Sequence, residues 1–357
     1  MPRAFLACRF PLALALCLSL PLSVAAQATP DSASVPLLPV SSPEAQGMDA
    51  ALLAEADRVI QTELPDATGL VVVRNGAIVF ERSYGDFAPD DAVKIRSVTK
   101  SVISALVGIA VADGLLSLDQ TLGALIPERI PPGADLRAAD ITVESLLTMT
   151  SGLTWELGTD YSRIIASDDW VALTLSQPIV AAPGEVYVYN SGGSHLLSVI
   201  LAEVTGQDTA DYAKERLFDP LGIEPGAWLH SPQGEAGGGF GLELTPRDLA
   251  TFGQLYLNGG VWEGEQLVPA EYVAASTTVQ SAGDATGGTP YGYQWWVTGV
   301  YGYDAYFALG FGGQYLYVVP ALNLVVVVVA GFETRPPVLL SPRYVIEGLI
   351  VPAAFGT

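Results

Sequence analysis

The chain has 357 residues, half of them hydrophobic, and a formal charge of −22. That length allows one large domain or two small ones, and the acidity argues against nucleic acid or an anionic membrane as a partner. With two histidines and two cysteines in the whole chain, a histidine-based triad, thiol chemistry or a metal centre has few candidate residues.

The N-terminus reads as an export signal. Arg3 and Arg9 supply the positive region, and Ala26-Gln27-Ala28 a small-x-small cleavage site. Between them, Pro11 to Val24 form an apolar core too short to span a bilayer comfortably. Both cysteines, Cys8 and Cys17, lie inside residues 1–28, and Leu16 is too bulky for a usual lipidation site before Cys17. Loss of this segment takes the formal charge from −22 to −24, because Arg3 and Arg9 leave with it. The expected product is periplasmic or secreted, has no disulfide, and must rest on its core. Residues 29–45, rich in Pro, Ser and Ala, read as a linker to a domain over 46–357.

Met48 to Thr62 has helical spacing, with Leu52, Leu53, Ala56 and Ile60 on one side. Leu70 to Arg74, Asn75-Gly76, and Ala77 to Phe80 predict a hairpin, since Asn-Gly supplies the positive-φ turn that strand twist demands. A strongly apolar helix then runs from about Ser97 to Ala112 and stops near Gly114. Residues 115–239 read as a mostly helical insertion. Within it, Thr142 caps a helix through Met149, Tyr187 to Gly193 form an irregular loop, and a helix covers Ser194 to Val204. Thr245-Pro246-Arg247-Asp248 opens a helix to Leu257, with Asp248 as a helix-start residue. Strands are predicted over Tyr291–Val297, Ala305–Leu309, Gln314–Val319 and Leu324–Ala330, and a closing helix over Ser341–Ile350. Five consecutive valines, Val325 to Val329, suit a strand buried on both faces. Strands at both chain ends with helices between predict an α+β fold. Its single antiparallel sheet is built from both ends and flanked by helices.

The chemistry points to Arg96-Ser97-Val98-Thr99-Lys100-Ser101. Ser97 and Lys100 are three apart, hence on one helical face. The helix they open is apolar on nearly every side, and such a helix is buried. A lysine at its root is poorly hydrated, which favours the neutral amine. A neutral amine one turn from a hydroxyl can take its proton, and serine becomes a nucleophile without histidine. Only three lysines exist (Lys94, Lys100, Lys214), and one of them heads this helix. Gly-x-Ser-x-Gly, His-Glu-x-x-His and the phosphate-binding Gly-x-x-x-x-Gly-Lys-Ser/Thr patterns are all missing.

Three stretches occur in a recognisable order: Ser97-Val98-Thr99-Lys100, Tyr189-Asn190-Ser191-Gly192, and Gly310-Phe311-Gly312-Gly313-Gln314 ahead of a strand. Supporting phrases are Ile141 to Leu153, Leu244 to Ala250 and Tyr291 to Trp296. From about residue 45 to 355 the chain resembles serine hydrolases of the class C β-lactamase and penicillin-binding-protein type, in the style of the branch with esterases and 6-aminohexanoate-dimer hydrolases. The resemblance implies the β-lactamase/transpeptidase fold and hydrolysis of an ester or amide through an acyl-enzyme, without cofactor or metal. Ser97 would be the nucleophile, Lys100 its proton partner, and Tyr189 the second-motif tyrosine, its phenol lowered by the nearby ammonium. Ser191 stands where an asparagine is usual, so the substrate contact falls to Ser191 or Asn190. The backbone N–H of Gln314, after Gly313, would join that of Ser97 in an oxyanion hole.

Rival readings are a β-lactamase, a D-alanyl peptidase, or an inactive binding module on the same fold. The third motif lacks a cation, and Phe307 to Tyr317 contain no basic residue. Phe311, Tyr306, Phe307, Tyr315 and Tyr317 instead suggest aromatic surface and an uncharged substrate. Arg335 or Arg343 could supply a cation from elsewhere. His195 reads as a core histidine, and strand alternation would bury one of Trp295 and Trp296.

Overall fold

The computed structural model describes residues 1–2, 38–283, 288–331 and 341–356. The export-signal reading, most of the linker and Arg335 lie outside the described residues. The chain divides into Met1–Ser34 and Val35–Thr357, and the architecture below is that of the second unit.

The Asn75-Gly76 turn joins β1 (Ala67–Arg74) to β2 (Ala77–Ser83). The C-terminal third supplies β3 (Trp296–Val300), β4 (Tyr303–Gly310), β5 (Gln314–Val319) and β6 (Leu324–Ala330). They form one six-stranded sheet in the order β2-β1-β6-β5-β4-β3, with every pairing antiparallel. The two chain ends meet where β1 pairs with β6, Val71 opposite Val327.

The valine run shows why β6 sits inside the sheet. Val325, Val327 and Val329 join one core with the helices α2 (Thr99–Ala112), α3 (Val143–Leu147), α4 (Ser191–Thr205) and α5 (Pro246–Leu257). Val326 and Val328 join a second core with Leu53, Ala56 and Ile60 of α1 (Ala50–Glu63) and with Val345, Ile346 and Ile350. Period-2 alternation sends each neighbour to the opposite face, so a strand covered on both sides must be apolar throughout. Each buried valine contributes roughly 1.5–3 kcal/mol relative to exposure.

The helix starts follow their caps. Asp49 accepts from Ala51 and Leu52, and Thr142 and Thr245 close capping boxes with Ser145 and Asp248. Between residues 115 and 239 the described chain has helices and isolated bridges, and no ladder strand.

Four boundaries differ from expectation. Pro39 to Ser41, assigned to the linker by composition, hydrogen-bond Ile78 of β2. Ser97 lies in a 3₁₀ turn, Arg96–Val98, ahead of the α-helix proper. α4 begins at Ser191 rather than Ser194, because the Asn190 side chain accepts from Gly193 and caps it there. Gly192 and Gly193 argue against a helix by propensity, yet a Cβ on Gly192 would lie 2.4 Å from Thr174 Oγ1 and 2.6 Å from Trp155. Packing, not turn formation, requires that glycine. Finally, β3 begins only at Trp296, since Gln294 adopts a left-handed φ of 61°, outside the extended region.

Candidate active site

Ser97 and Lys100, Tyr189 and Ser191, and Gly239 converge from three chain segments. Lys100 Nζ lies 3.1 Å from Ser97 Oγ, 3.0 Å from Ser191 Oγ and 2.6 Å from the Gly239 carbonyl. It also stands 5.0 Å from the centroid of the Tyr189 ring, and the Tyr189 hydroxyl neighbours the Ser97 side chain. Lys100 is 1 % exposed, and the three oxygens it touches belong to neutral groups. An ammonium has three N–H donors, which these acceptors satisfy. A neutral amine needs two of them and turns its lone pair to the Ser97 hydroxyl. Burial lowers Lys100 to about 7, which places both states within reach at neutral pH.

The phenol behaves differently from the expectation. Burial pushes Tyr189 up to about 12, with only a partial offset from Ser97. The lysine beside it is itself poorly solvated and only partly charged at neutral pH, so the ammonium expected from the sequence is no fixed charge. Desolvation wins, and the neutral phenol is the resting form.

The second motif divides its labour. Asn190, 1 % exposed, directs Oδ1 to the Gly193 N–H, at 2.8 Å, as the cap of α4. Ser191, expected as the alternative, is the one that reaches Lys100.

The third motif is brought to Ser97 by Gly310. A Cβ there would lie 2.5 Å from the Ile95 carbonyl, so the end of β4 runs directly against the turn that carries the serine. Gly312 and Gly313 have φ of 89° and 102°, the region glycine adopts without strain. The Gln314 side chain is committed elsewhere: Nε2 donates to the Ala330 carbonyl at 2.6 Å, and Oε1 accepts from Ala330 N at 3.1 Å. Only its backbone is left for the cleft. Gly310→Ala is expected to cost roughly 1–3 kcal/mol by overpacking, read as a lower denaturant midpoint.

The aromatic surface is not where the sequence suggested. Tyr306, Phe307, Tyr315 and Tyr317 are all at most 7 % exposed, whereas Phe311 is 48 % exposed. Inward residues of a two-sided sheet become core whatever their type. The aromatic wall beside Tyr189 comes instead from Trp296, stacked on it at 5.8 Å and 18°, and from Tyr187 and Tyr291. Trp295 is wholly buried. Arg343 lies over the Phe307 ring and directs its guanidinium to Glu347, Thr298 and Thr289.

Sequence reasoning missed the Gly239 carbonyl. Its signal was the run Gly237-Gly238-Gly239, which passes so close to α4 that a Cβ on Gly239 would sit 2.5 Å from the Ser191 carbonyl. His195 is a core histidine, as read: fully buried, edge-on to Trp170, and held down to about 4, hence neutral. Asp248 caps α5. Among the described residues no cluster of potential metal ligands occurs, and no helix is long and apolar enough to cross a membrane.

A lysine, two serines and a tyrosine on an α+β frame of this topology fit a known lineage, and the Beta-lactamase family model matches residues 56–347. The chain belongs to the beta-lactamase family. It is accordingly a hydrolase of the serine type, with that family's antiparallel sheet and flanking helices. Among relatives in the family, the 6-aminohexanoate-dimer hydrolase of Paenarthrobacter ureafaciens is 26 % identical over 75 % of this chain and 76 % of its own. Esterase EstB of Burkholderia gladioli is 30 % identical over 51 % of this chain and 53 % of its own. The octameric penicillin-binding protein homologue from Pyrococcus abyssi shares the fold, with a TM-score of 0.68 at 20 % identity over 86 % of this chain and 77 % of that one.

Proposed function

We propose that the protein is an exported hydrolase of esters or amides that works through an acyl-enzyme on Ser97. The observation that carries the reading is the contact of a buried lysine with the serine, at 3.1 Å, without a charged partner among the described residues to keep that lysine protonated. Neutral Lys100 takes the Ser97 proton as Oγ bonds to the substrate carbonyl carbon and its oxygen becomes an oxyanion. The N–H groups of Ser97 and Gln314 are the proposed donors to that oxygen. Collapse breaks the bond to the leaving group, which departs with a proton from the Tyr189 phenol, and the Lys100 ammonium restores the phenol. Water then gives one proton to the same pair, attacks the acyl carbon, and Ser97 leaves with a proton. The bonds and protons balance to hydrolysis. Export rests on the Arg3 to Ala28 pattern.

Mass measurement of the intact protein after fluorophosphonate treatment tests the nucleophile: one adduct, mapped to Ser97, is expected. An adduct elsewhere, or none, would overturn the assignment.

The relative named as an esterase favours an ester over a β-lactam as substrate. So does the third motif, which carries no cation, with Arg343 engaged by Glu347. The expected result is a higher kcat/KM for p-nitrophenyl butyrate than for nitrocefin. Nitrocefin turnover equal to the ester would favour a β-lactamase instead.

A further inference from the structure

We infer that Gln294 is a positioning residue for the reaction at Ser97: it ties the root of α2 to the root of α4, and so fixes Lys100 against Ser191 and Tyr189. The inference rests on the reading of Ser97 as nucleophile and Lys100 as its base.

Gln294 is 2 % exposed and lies outside the catalytic contacts. Its hydrogen bonds reach three helices. The Ser101 hydroxyl, one residue past Lys100, donates to the Gln294 carbonyl at 2.8 Å. The Ser194 hydroxyl, one turn past Ser191, donates to Oε1 at 2.9 Å. Nε2 donates to the carbonyls of Leu146 and Leu147, both at 2.9 Å, at the end of α3. The backbone N–H also meets Leu147, at 3.1 Å. Both helices that carry Lys100 and Ser191 are therefore pinned through one residue, each within a turn of the reacting group.

The backbone is distorted to achieve this. At φ 61° a side chain other than glycine pays a conformational cost, and the neighbours hold the distortion in place. Tyr293 donates to Glu144 at 2.6 Å, and Trp295 packs among Phe252, Tyr256 and Tyr306. The same segment delivers Trp296 onto the Tyr189 ring. A glutamine in this conformation, with both ends of its amide used, is worth its strain only if something depends on the spacing it sets. The group that depends on it is Lys100, whose amine meets oxygens from both helices. Tyr189 is the titratable side chain facing that amine, and its other partners are neutral.

The test compares wild type, Gln294→Gly and Ser194→Ala in the full chain. The rate of fluorophosphonate labelling of Ser97 is followed against pH by intact mass, and kcat and KM are measured on p-nitrophenyl butyrate. Glycine suits the left-handed backbone, so this variant removes the amide without adding strain. Labelling and kcat are expected to fall roughly 10- to 100-fold, the scale of a misplacement near 1 Å. KM should stay close to wild type. The pH midpoint of labelling should move upward, because water admitted between the helices favours the ammonium. A lower melting temperature with an unchanged kcat and midpoint would show a purely structural role and overturn the inference. If Gln294→Gly does not fold, Ser194→Ala decides on the same readouts: slower labelling with an upward midpoint supports the inference, and wild-type values overturn it. Wild type that takes no label at Ser97 overturns the nucleophile assignment, and this inference falls with it.

Discussion

Ser97→Ala is expected to remove nearly all hydrolysis while the protein stays folded. Deleting a serine nucleophile costs on the order of 10⁶ in kcat where base and nucleophile act as a unit, and here the two are in direct contact at 3.1 Å. The structural cost is small by comparison. The hydroxyl is partly exposed and Lys100 keeps Ser191 and Gly239 as acceptors. The loss is one hydrogen bond, about 0.5–1.5 kcal/mol. A melting curve within a few degrees of wild type, alongside a nearly abolished ester rate, is the expected pair of measurements. A purified variant with wild-type ester and amide rates would remove Ser97 from the mechanism.

The sequence revealed the sheet more fully than the cleft, for physical reasons. The hairpin at Asn75-Gly76 and the valine run of β6 are local signals: a turn requiring positive φ, and a strand with no polar face. Capped helices such as α5 were equally legible, because the cap and first turn are written in four adjacent residues. Ser97 and Lys100 could be paired because helical spacing alone juxtaposes them. The rest of the site depends on contacts far apart in sequence. The run Gly237-Gly238-Gly239 signals a close approach of the backbone, but not that the Gly239 carbonyl meets Lys100, 139 residues away. Asn190 and Ser191 are adjacent and both polar, and only the start of α4 decides which caps and which faces the lysine. The direction of the Tyr189 shift was misjudged for the same reason: a neighbouring cation is visible in a motif, whereas burial of both partners is a property of the assembled fold.

Those opposite shifts lead to the second large effect, the pH dependence of the lysine and tyrosine variants. With Lys100 near 7 and Tyr189 near 12, the proton-accepting group at neutral pH is the amine and the proton-donating group is the phenol. Acylation should therefore rise as pH passes through about 7 and reach a plateau that lasts until the phenol ionises, far to the alkaline side. Lys100→Met should abolish that rise and lower the plateau by about 10²–10⁴-fold, the usual contribution of a general base. Tyr189→Phe should lower it by a similar factor but keep the rise near 7, since the amine is still present. The two variants are thus separated by the shape of the profile as well as by its height. Stability supplies an independent check on the lysine. Its folded value lies below the unfolded one, near 10.5, so between about 7 and 10.5 the unfolded chain binds the extra proton. Unfolding free energy must rise with pH over that window. Buried tyrosines such as Tyr256, pushed up to about 12, act in the opposite sense once the unfolded phenols ionise, near 10. The clean interval is therefore between about pH 7 and 9.5. Denaturant melts across it should show a positive slope in wild type that is shallower in Lys100→Met. Equal slopes, together with a pH-rate profile flat from 5 to 9 in wild type, would mean that Lys100 does not change its proton there and cannot be the base.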